Sequence, residues 1–316
     1  MKGLIFQPLG NGLAPLVMNE EGKPNSLPKI IYIMGTARSG STILEIMLAN
    51  GSQIFGAGEM TALIQDGFLE NRVCSCNQRF RDCDIWGNIS RNLRADVDEL
   101  HVLSLIQRKV DWHDGPFRQL LGLMPSDSIR RYKAVNEGLL ASIQKVTGAS
   151  AVVDSSKYAG RALALKNIVK ADVFVLCLTR SPEGLMASFQ KPNEDEQRPK
   201  KPLNALLYYM VALFSLRIAS AFLGGRVQYI RYEDLLADPT STLKKIASFC
   251  SVDLLGPCQH LTDQAPFLTG HLVTGNRLRK QNEIRFDANN AAPSPKGIGA
   301  KFAIVVMKGW QWLLRF

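Results

Sequence analysis

Along the chain, four short runs are nearly continuous in apolar residues: 29–34 (KIIYIM), 151–154 (AVVD), 173–178 (VFVLCL) and 227–231 (VQYIR). Apolar runs of this length without polar alternation predict strands covered on both faces, as in a parallel sheet. Between and after them, apolar positions recur at helical spacing over 41–50, 129–147, 160–169, 182–189, 205–223 and 239–250. The last has the clearest start. Asp238 stands at the N-cap, Pro239 at the first helical position, and Leu243, Ile246, Ala247 and Cys250 share one face. Strands alternating with helices predict a three-layer α/β fold around a parallel sheet.

Two stretches depart from this alternation. The run 203–223 (LNALLYYMVALFSLRIASAFL) is interrupted only by Arg217 and is long enough to cross a bilayer. The segment after it, GGRVQYIRYEDLL, reads as a turn, a strand and an ordered loop, so a buried core helix is the expectation. The stretch 63–131 holds three cysteines with Trp86, His101, Trp112 and His113 but no buried-strand run. It predicts a mostly helical insertion over the carboxyl edge of the sheet, on the acceptor side, where ligands bind in open α/β folds.

The chain then divides into an N-terminal extension (1–28), a main domain (29–288) containing the 63–131 insertion, and a linker with a basic, aromatic C-terminal tail (289–316). The tail KFAIVVMKGWQWLLRF is too short and too charged to span a bilayer. It either makes a weak peripheral contact with an anionic membrane or packs back on the domain.

Composition narrows the classes. With 316 residues, 46% hydrophobic and 21% charged, the chain can build a large core, which excludes disorder and low-complexity architectures. Length permits two domains or one enlarged one. Lysine and arginine number 38 against 28 acidic residues, a formal charge of +10, which favours anionic partners without choosing among nucleic acid, lipid and phosphorylated small molecule. Six cysteines are too sparse for a disulfide-held scaffold. The first 28 residues carry Pro8, Pro15, Pro24 and Pro28 and no continuous apolar stretch, so no secretory leader and a cytoplasmic location, at most peripheral to a membrane, are expected.

The strongest local signal is the strand KIIYIM followed by the loop Gly35-Thr-Ala-Arg-Ser-Gly-Ser-Thr42 and a helix. Such a junction turns backbone N–H groups and the positive end of the helix dipole toward an anion. The spacing is that of the Walker A loop, but Ser41 stands where that loop has its lysine, and the cation has moved to Arg38. Only Asp154 is available to hold the Mg²⁺ of an ordinary NTPase. The loop therefore predicts a P-loop variant for an anion handled without γ-phosphate chemistry. A second constellation ends the strand VFVLCL in Thr179-Arg180-Ser181-Pro182, with Ser188 two helical turns beyond Arg180, so both can reach one phosphate. An arginine at a strand end is equally a surface ion-pair partner.

With these motifs in order, the chain resembles a sulfotransferase that uses 3′-phosphoadenosine 5′-phosphosulfate (PAPS), of the bacterial type with loop features like the tyrosylprotein enzymes. GTARSGST resembles the family's 5′-phosphosulfate loop, and LTRSPEGLMAS its 3′-phosphate motif. AVVDSSKYAGRALALKN resembles the segment that brings a lysine to the transferred group. IRYEDLLADPTSTLKKIASF, GHLVTGNRLR and the insertion's CSCNQRFRDCDIW resemble further family elements, and the matches run from about 29 to 287. Two departures stand out: Ala37 replaces a proline common in relatives, and the K-x-G-x-x-G-D-W element of the cytosolic enzymes is missing.

The resemblance implies a P-loop nucleotide-binding fold and a PAPS site made by Arg38, Ser39, Gly40, Ser41, Thr42, Arg180 and Ser188, with Arg277 and Arg279 substituting for the missing element. It implies Glu59 as the base, from its G-E context, with Lys157 and Arg38 facing the leaving phosphate; a charge favoured at a helix N-terminus is the plainer reading of Glu59. His101 and His113 are alternative bases, His271 belongs to a nucleotide lid, and His260 is structural. Asp154 is expected to bond Lys157 or the loop, and Glu233 with Asp234 to anchor a turn. Cys74, Cys76 and Cys83 could hold zinc with a fourth ligand from a distance, but three cysteines without a nearby histidine are an incomplete site, so a local disulfide or packed thiols are expected; the transfer reaction itself implies no metal. The acceptor would be a hydroxyl of a carbohydrate, lipid, phenol or tyrosine, and no nucleic acid is expected. Two competing classes are a P-loop nucleotide kinase or NTPase, disfavoured by Ser41, and a basic membrane- or nucleic-acid-binding module, disfavoured by arginines scattered at element ends.

Overall fold

The computed structural model describes residues 27–92, 96–190, 199–288 and 295–316. Most of the 1–28 extension and the start of the 289–316 linker lie outside them.

Strands β1 (Lys29–Gly35), β2 (Ile54–Gly56), β3 (Ala151–Lys157), β4 (Val173–Thr179) and β5 (Val227–Arg231) form one parallel sheet in the order β2-β3-β1-β4-β5. Four of these are the apolar runs of the sequence. The fifth, β2, pairs Ile54–Gly56 with Ala151–Val153 and is too short to show a period. A separate antiparallel pair joins β6 (Phe267–Leu268) to β7 (Glu283–Ile284).

The helices follow in chain order: α1 (Ser41–Ala49), α2 (Met60–Leu63) continuing as a π-helical turn (Ile64–Leu69), α3 (Asp84–Asn92), α4 (Val97–Asp111), α5 (Gly115–Leu120) and α6 (Ser126–Thr147). After β3 come α7 (Ala159–Ala164), α8 (Pro182–Gln190), α9 (Pro202–Leu223), α10 (Tyr232–Ala237), α11 (Pro239–Cys250), α12 (Leu255–Thr262) and α13 (Ile298–Leu313).

Side-chain alternation along β1 creates the three layers. Ile31 and Ile33 pack with α1, α10 and α11 through Leu44, Met47, Leu235, Leu243 and Ile246. Ile30, Tyr32 and Met34 face the opposite core with α4, α6, α7 and α9. Because both faces are covered, no polar alternation was needed in the strands.

The 63–131 segment is helical. Trp86, Leu103, Val110 and neighbouring side chains extend the layer on the Tyr32 face, and Asp66, Arg72 and His113 reach the cavity at the carboxyl edge. The reason is electrostatic as well as apolar. Arg161 of α7, wholly buried, donates to Asp154 of β3 (2.6 Å) and Asp111 of α4 (3.2 Å), while Tyr132 of α6 donates to Asp111 (2.6 Å). This network rivets the insertion to the side of the sheet. It also corrects the expectation for Asp154, which bonds Arg161 and Ser156 rather than Lys157 or the loop.

Helix α9 is long and apolar enough to cross a membrane, and half of it is buried. Its buried face (Ala205, Tyr209, Leu213, Leu216, Ala219) joins the core. The C-terminal tail forms α13, which packs back on α9: Ala303 and Met307 are buried, and the Trp310 indole donates to the Met210 carbonyl (3.1 Å).

Candidate active site

A cavity of about 650 Å³ opens at the carboxyl edge of the sheet. Its floor is the loop between β1 and α1. Gly35 lies so close to β4 that a Cβ would meet the Leu178 carbonyl oxygen at 2.4 Å. Gly40 takes the left-handed conformation (φ 96°), and a Cβ there would strike the Tyr232 ring at 2.4 Å. Arg38 is also left-handed (φ 68°), an unusual state for a side-chain-bearing residue and one concentrated at functional sites. The Ala37 N–H donates to the Tyr208 hydroxyl of α9 at 2.7 Å, a bond that a proline could not make.

Ala37, Arg38, Gly40, Ser41 and Thr42 line the cavity. Ser39 does not. It is fully buried beneath the loop, with its hydroxyl where a Gly35 Cβ would meet it at 3.2 Å, so any contribution to an anion comes from its backbone.

On one side of the loop, the end of β4 delivers Arg180. Its guanidinium lies 4.5 Å from the Tyr232 ring centroid and donates to the Arg38 carbonyl (2.9 Å). Its Nε is buried with no partner among the described residues. Burial holds the Arg180 pKa below the ordinary arginine range; a guanidinium still keeps its proton. Ser188 accepts from Arg38 Nε at 3.0 Å, and Arg38, Arg180 and Ser188 all line the cavity. Glu233 of α10 accepts from the Ser181 N–H (2.9 Å), fixing the turn into α8.

On the other side stand Glu59 and Lys157. The register between β1 and β3 shifts after Tyr32↔Asp154, so that Met34 pairs with Lys157. This leaves one extra residue in β3, the kind of bulge that re-aims a side chain, and Lys157 follows it in the left-handed region (φ 74°). Lys157 Nζ bonds Glu59 Oε1 and the Ser155 carbonyl. Glu59 precedes α2 but makes no capping bond with its side chain. Its backbone N–H donates to Thr274 Oγ1 at 2.7 Å. Beneath the pair, Glu45 is buried, accepting from the Gly58 N–H and the Ser155 hydroxyl (2.6 Å each), and burial pushes its pKa up to about 8.

The third wall is the segment from Val273 to Asp287, which contributes Thr274, Gly275, Asn276, Arg279, Lys280 and Arg285. Arg279 lines the cavity, whereas Arg277, exposed on the same short turn, does not. Lys280, Arg285, Arg72 and the tyrosines 158, 208 and 232 were not singled out in the sequence. Tyr158 and Tyr232 lie within motif segments and the others in no motif, and all of them meet only through tertiary packing. Cations lining the cavity (Arg38, Arg72, Lys157, Arg180, Arg279, Lys280, Arg285) outnumber its acids (Glu59, Asp66, Asp287), which suits an anion of high charge.

The histidines separate. His101 is exposed on α4 and away from the cavity, which removes it as a base. His113 lines the cavity edge-on to Tyr158 and Tyr208, with neither ring nitrogen partnered among the described residues. Burial lowers its pKa to about 4, so it is neutral near pH 7. His260 holds the Pro266 carbonyl (2.9 Å). His271 sits with its Nδ1 3.2 Å from Cys83 Sγ, so the cysteines do have a histidine beside them, brought from 188 residues away. Cys74 and Cys83 are free thiols with sulfurs 3.9 Å apart, and no disulfide joins them.

A glycine-rich loop at the carboxyl edge of a parallel α/β sheet thus stands between Arg180 with Ser188 on one side and the Glu59–Lys157 couple on the other. The chain belongs to the sulfotransferase family, whose model, described as Sulfotransferase family, matches residues 28–255. Among solved structures it is similar to the sulfotransferase domain from the curacin biosynthetic pathway, with 19% identity over 90% of this chain and 99% of that one and a TM-score of 0.46. It is also similar to the sulfotransferase domain from the Synechococcus PCC 7002 olefin synthase (19% identity, 90% and 96% covered, TM-score 0.41). A third is sulfotransferase STF1 from Mycobacterium tuberculosis H37Rv (17% identity, 74% and 70% covered, TM-score 0.45). Among curated proteins, nothing matches the sequence at a significant level.

Proposed function

We propose that the protein transfers a sulfuryl group from PAPS to an acceptor hydroxyl. The observation that carries this reading is Arg180, a half-buried guanidinium near the Tyr232 ring whose buried Nε has no partner among the described residues, beside the Arg38–Ser188 pair. An orphaned cationic donor of this kind is satisfied by a phosphate. The loop 35–42 supplies a second anion site next to it, so a donor carrying two separated phosphate groups fits the set.

In this reading, the loop N–H groups with Ser41 and Thr42 hold the 5′-phosphosulfate, Arg180 and Ser188 the 3′-phosphate, and Asn276, Arg279 and Lys280 close over the nucleotide. Glu59 accepts the acceptor's proton as the new O–S bond forms, while Lys157 and Arg38 stabilise the phosphate oxygen released as the old S–O bond breaks. The Glu59–Lys157 pair is then a resting arrangement. An anionic donor competes for Lys157 and frees Glu59 for the hydroxyl. Neutral His113, with Tyr158 and Tyr208, forms the aromatic side on which the acceptor lies. No step in this reading uses a metal, and both Asp154 carboxylate oxygens are taken up, one by Arg161 and one by Ser156.

Thermal stabilisation by 3′-phosphoadenosine 5′-phosphate, compared with ATP·Mg²⁺ and duplex DNA, tests the donor. A shift with the first ligand alone is expected, and its absence would sink the reading. Sulfate transfer to a panel of carbohydrate, lipid, phenol and tyrosine hydroxyls identifies the acceptor.

We also propose a peripheral contact with an anionic membrane. Exposed apolar side chains on α9 (Leu203, Leu207, Val211, Phe214) and α13 (Phe302, Val305, Trp312) are bordered by Arg217, Lys301 and Arg315, a pairing of apolar and basic groups that suits a bilayer interface.

A further inference from the structure

Cys74, Cys76, Cys83 and His271 have no part in sulfuryl transfer, yet three separate segments bring them together. Their four ligand atoms all lie within 4.8 Å of one another. We propose that they bind one zinc ion, and that this ion pins the strap 270–282 of the cavity to the insertion.

The geometry fits the ion. Tetrahedral zinc with Zn–S bonds of about 2.3 Å and Zn–N of about 2.0 Å places its sulfurs about 3.8 Å apart and sulfur about 3.5 Å from nitrogen. The Cys74–Cys83 separation is 3.9 Å, and Cys83 Sγ lies 3.2 Å from His271 Nδ1. Three thiolates and an imidazole make a closed structural set with no position left for substrate.

The backbone presents the ligands locally. Val73 bridges Arg79, the Cys74 N–H donates to the Gln78 carbonyl (2.8 Å), and Asn77 turns the chain in the left-handed region (φ 64°). This tight hairpin carries Cys74 and Cys76. Cys83 immediately precedes α3, where the helix N-terminus favours a thiolate. Trp86, in the first turn of α3, donates its indole N–H to the His271 carbonyl and so holds the fourth ligand's backbone.

The same hairpin is laced to the strap. Ser75 N–H donates to the Leu272 carbonyl (2.9 Å), Leu272 N–H to Ser75 Oγ (2.6 Å), and Arg279 to the Val73 carbonyl (2.9 Å). The strap's next residues, Val273 to Lys280, form the first part of the third wall of the cavity. Beyond β6 and β7, two residues each, little regular structure holds this segment. A metal tie would therefore set the position of Thr274, Asn276 and Arg279.

The test uses the full chain. Elemental analysis of protein produced with zinc in the medium should give one zinc per chain, released when thiols are blocked with a mercurial. Cobalt(II) added to the stripped protein should produce the intense visible bands of a tetrahedral thiolate site. His271→Ala should lose stoichiometric metal, whereas His271→Cys, which restores a fourth ligand, should keep it; Cys258→Ser, outside the cluster, serves as the control that retains zinc. Stripping zinc should speed tryptic cleavage after Arg277, Arg279 or Lys280, and added zinc should reverse it. Substoichiometric zinc with no cobalt spectrum overturns the site, as does a brown iron chromophore or an intact mass showing a Cys74–Cys83 disulfide. Unchanged cleavage on stripping overturns the pinning. None of these readouts depends on the sulfotransfer reading.

Discussion

Arg180 is half-buried at the cavity wall, and its Nε has no partner among the described residues. A hydrogen bond to a charged group contributes about 1.5–3 kcal/mol, so Arg180→Ala should weaken 3′-phosphoadenosine 5′-phosphate binding about ten- to a hundredfold, measured by calorimetry. An unchanged affinity would return Arg180 to a structural role. Glu59→Gln should lower kcat by about 10²- to 10⁴-fold, the usual contribution of a general base, with nucleotide binding nearly intact. Loss of binding instead would make Glu59 a structural partner of Lys157. Glu45 makes a prediction about pH. Its folded-state pKa is raised from 4.5 to about 8, so the native protein holds a proton that the unfolded chain has released. Its stabilisation is complete below the unfolded value and is lost as pH rises from about 4.5 through about 8. The amide of Glu45→Gln mimics the protonated acid, accepting from Gly58 and donating to Ser155. The variant should melt higher than the parent at pH 8 and alike at pH 5; equal melting at both would remove Glu45 from the pH dependence.

At the scale of elements, the buried network of Asp111, Arg161 and Asp154 is what joins α4, α7 and β3. Arg161→Met keeps the volume but leaves two buried carboxylates unpaired. A stability loss of about 3–5 kcal/mol is expected from urea unfolding, and a loss under about 1 kcal/mol would mean that the carboxylates neutralise at little cost. Elements were legible in the sequence where one physical signal dominated. Helix α11 has the bounds implied by Asp238 and Pro239, and Asp238 does accept from the Ser241 N–H. Strand β2 was not legible, because three residues have no periodicity and its pairing is decided by β3. The insertion's helices were legible as a class, but their site of attachment was not. That attachment depends on an arginine and two aspartates from three elements meeting in the core.

For the whole molecule, α9 and α13 share an outward apolar face that the core does not use. The protein should cosediment with vesicles containing anionic lipid, and Trp312→Glu together with Phe302→Glu should abolish this without lowering the melting temperature. Sedimentation as a dimer that the same changes dissolve would instead make the face a self-association surface. The sequence alone determined the parallel α/β sheet, the glycine-rich loop between β1 and α1, and the placing of Arg180 and Ser188 on one strand–helix unit. Those features rest on local signals: apolar runs, a glycine-rich turn before a helix, and spacing within one strand–helix unit. Only the tertiary structure decided that Arg279 rather than Arg277 faces the cavity, that Ser39 is buried beneath its own loop, and that His113 lines the site while His101 does not. It also decided that His271 stands beside three cysteines from a distant part of the chain. Each of those outcomes turns on which way a side chain points after long-range packing, and spacing along a chain carries no such information.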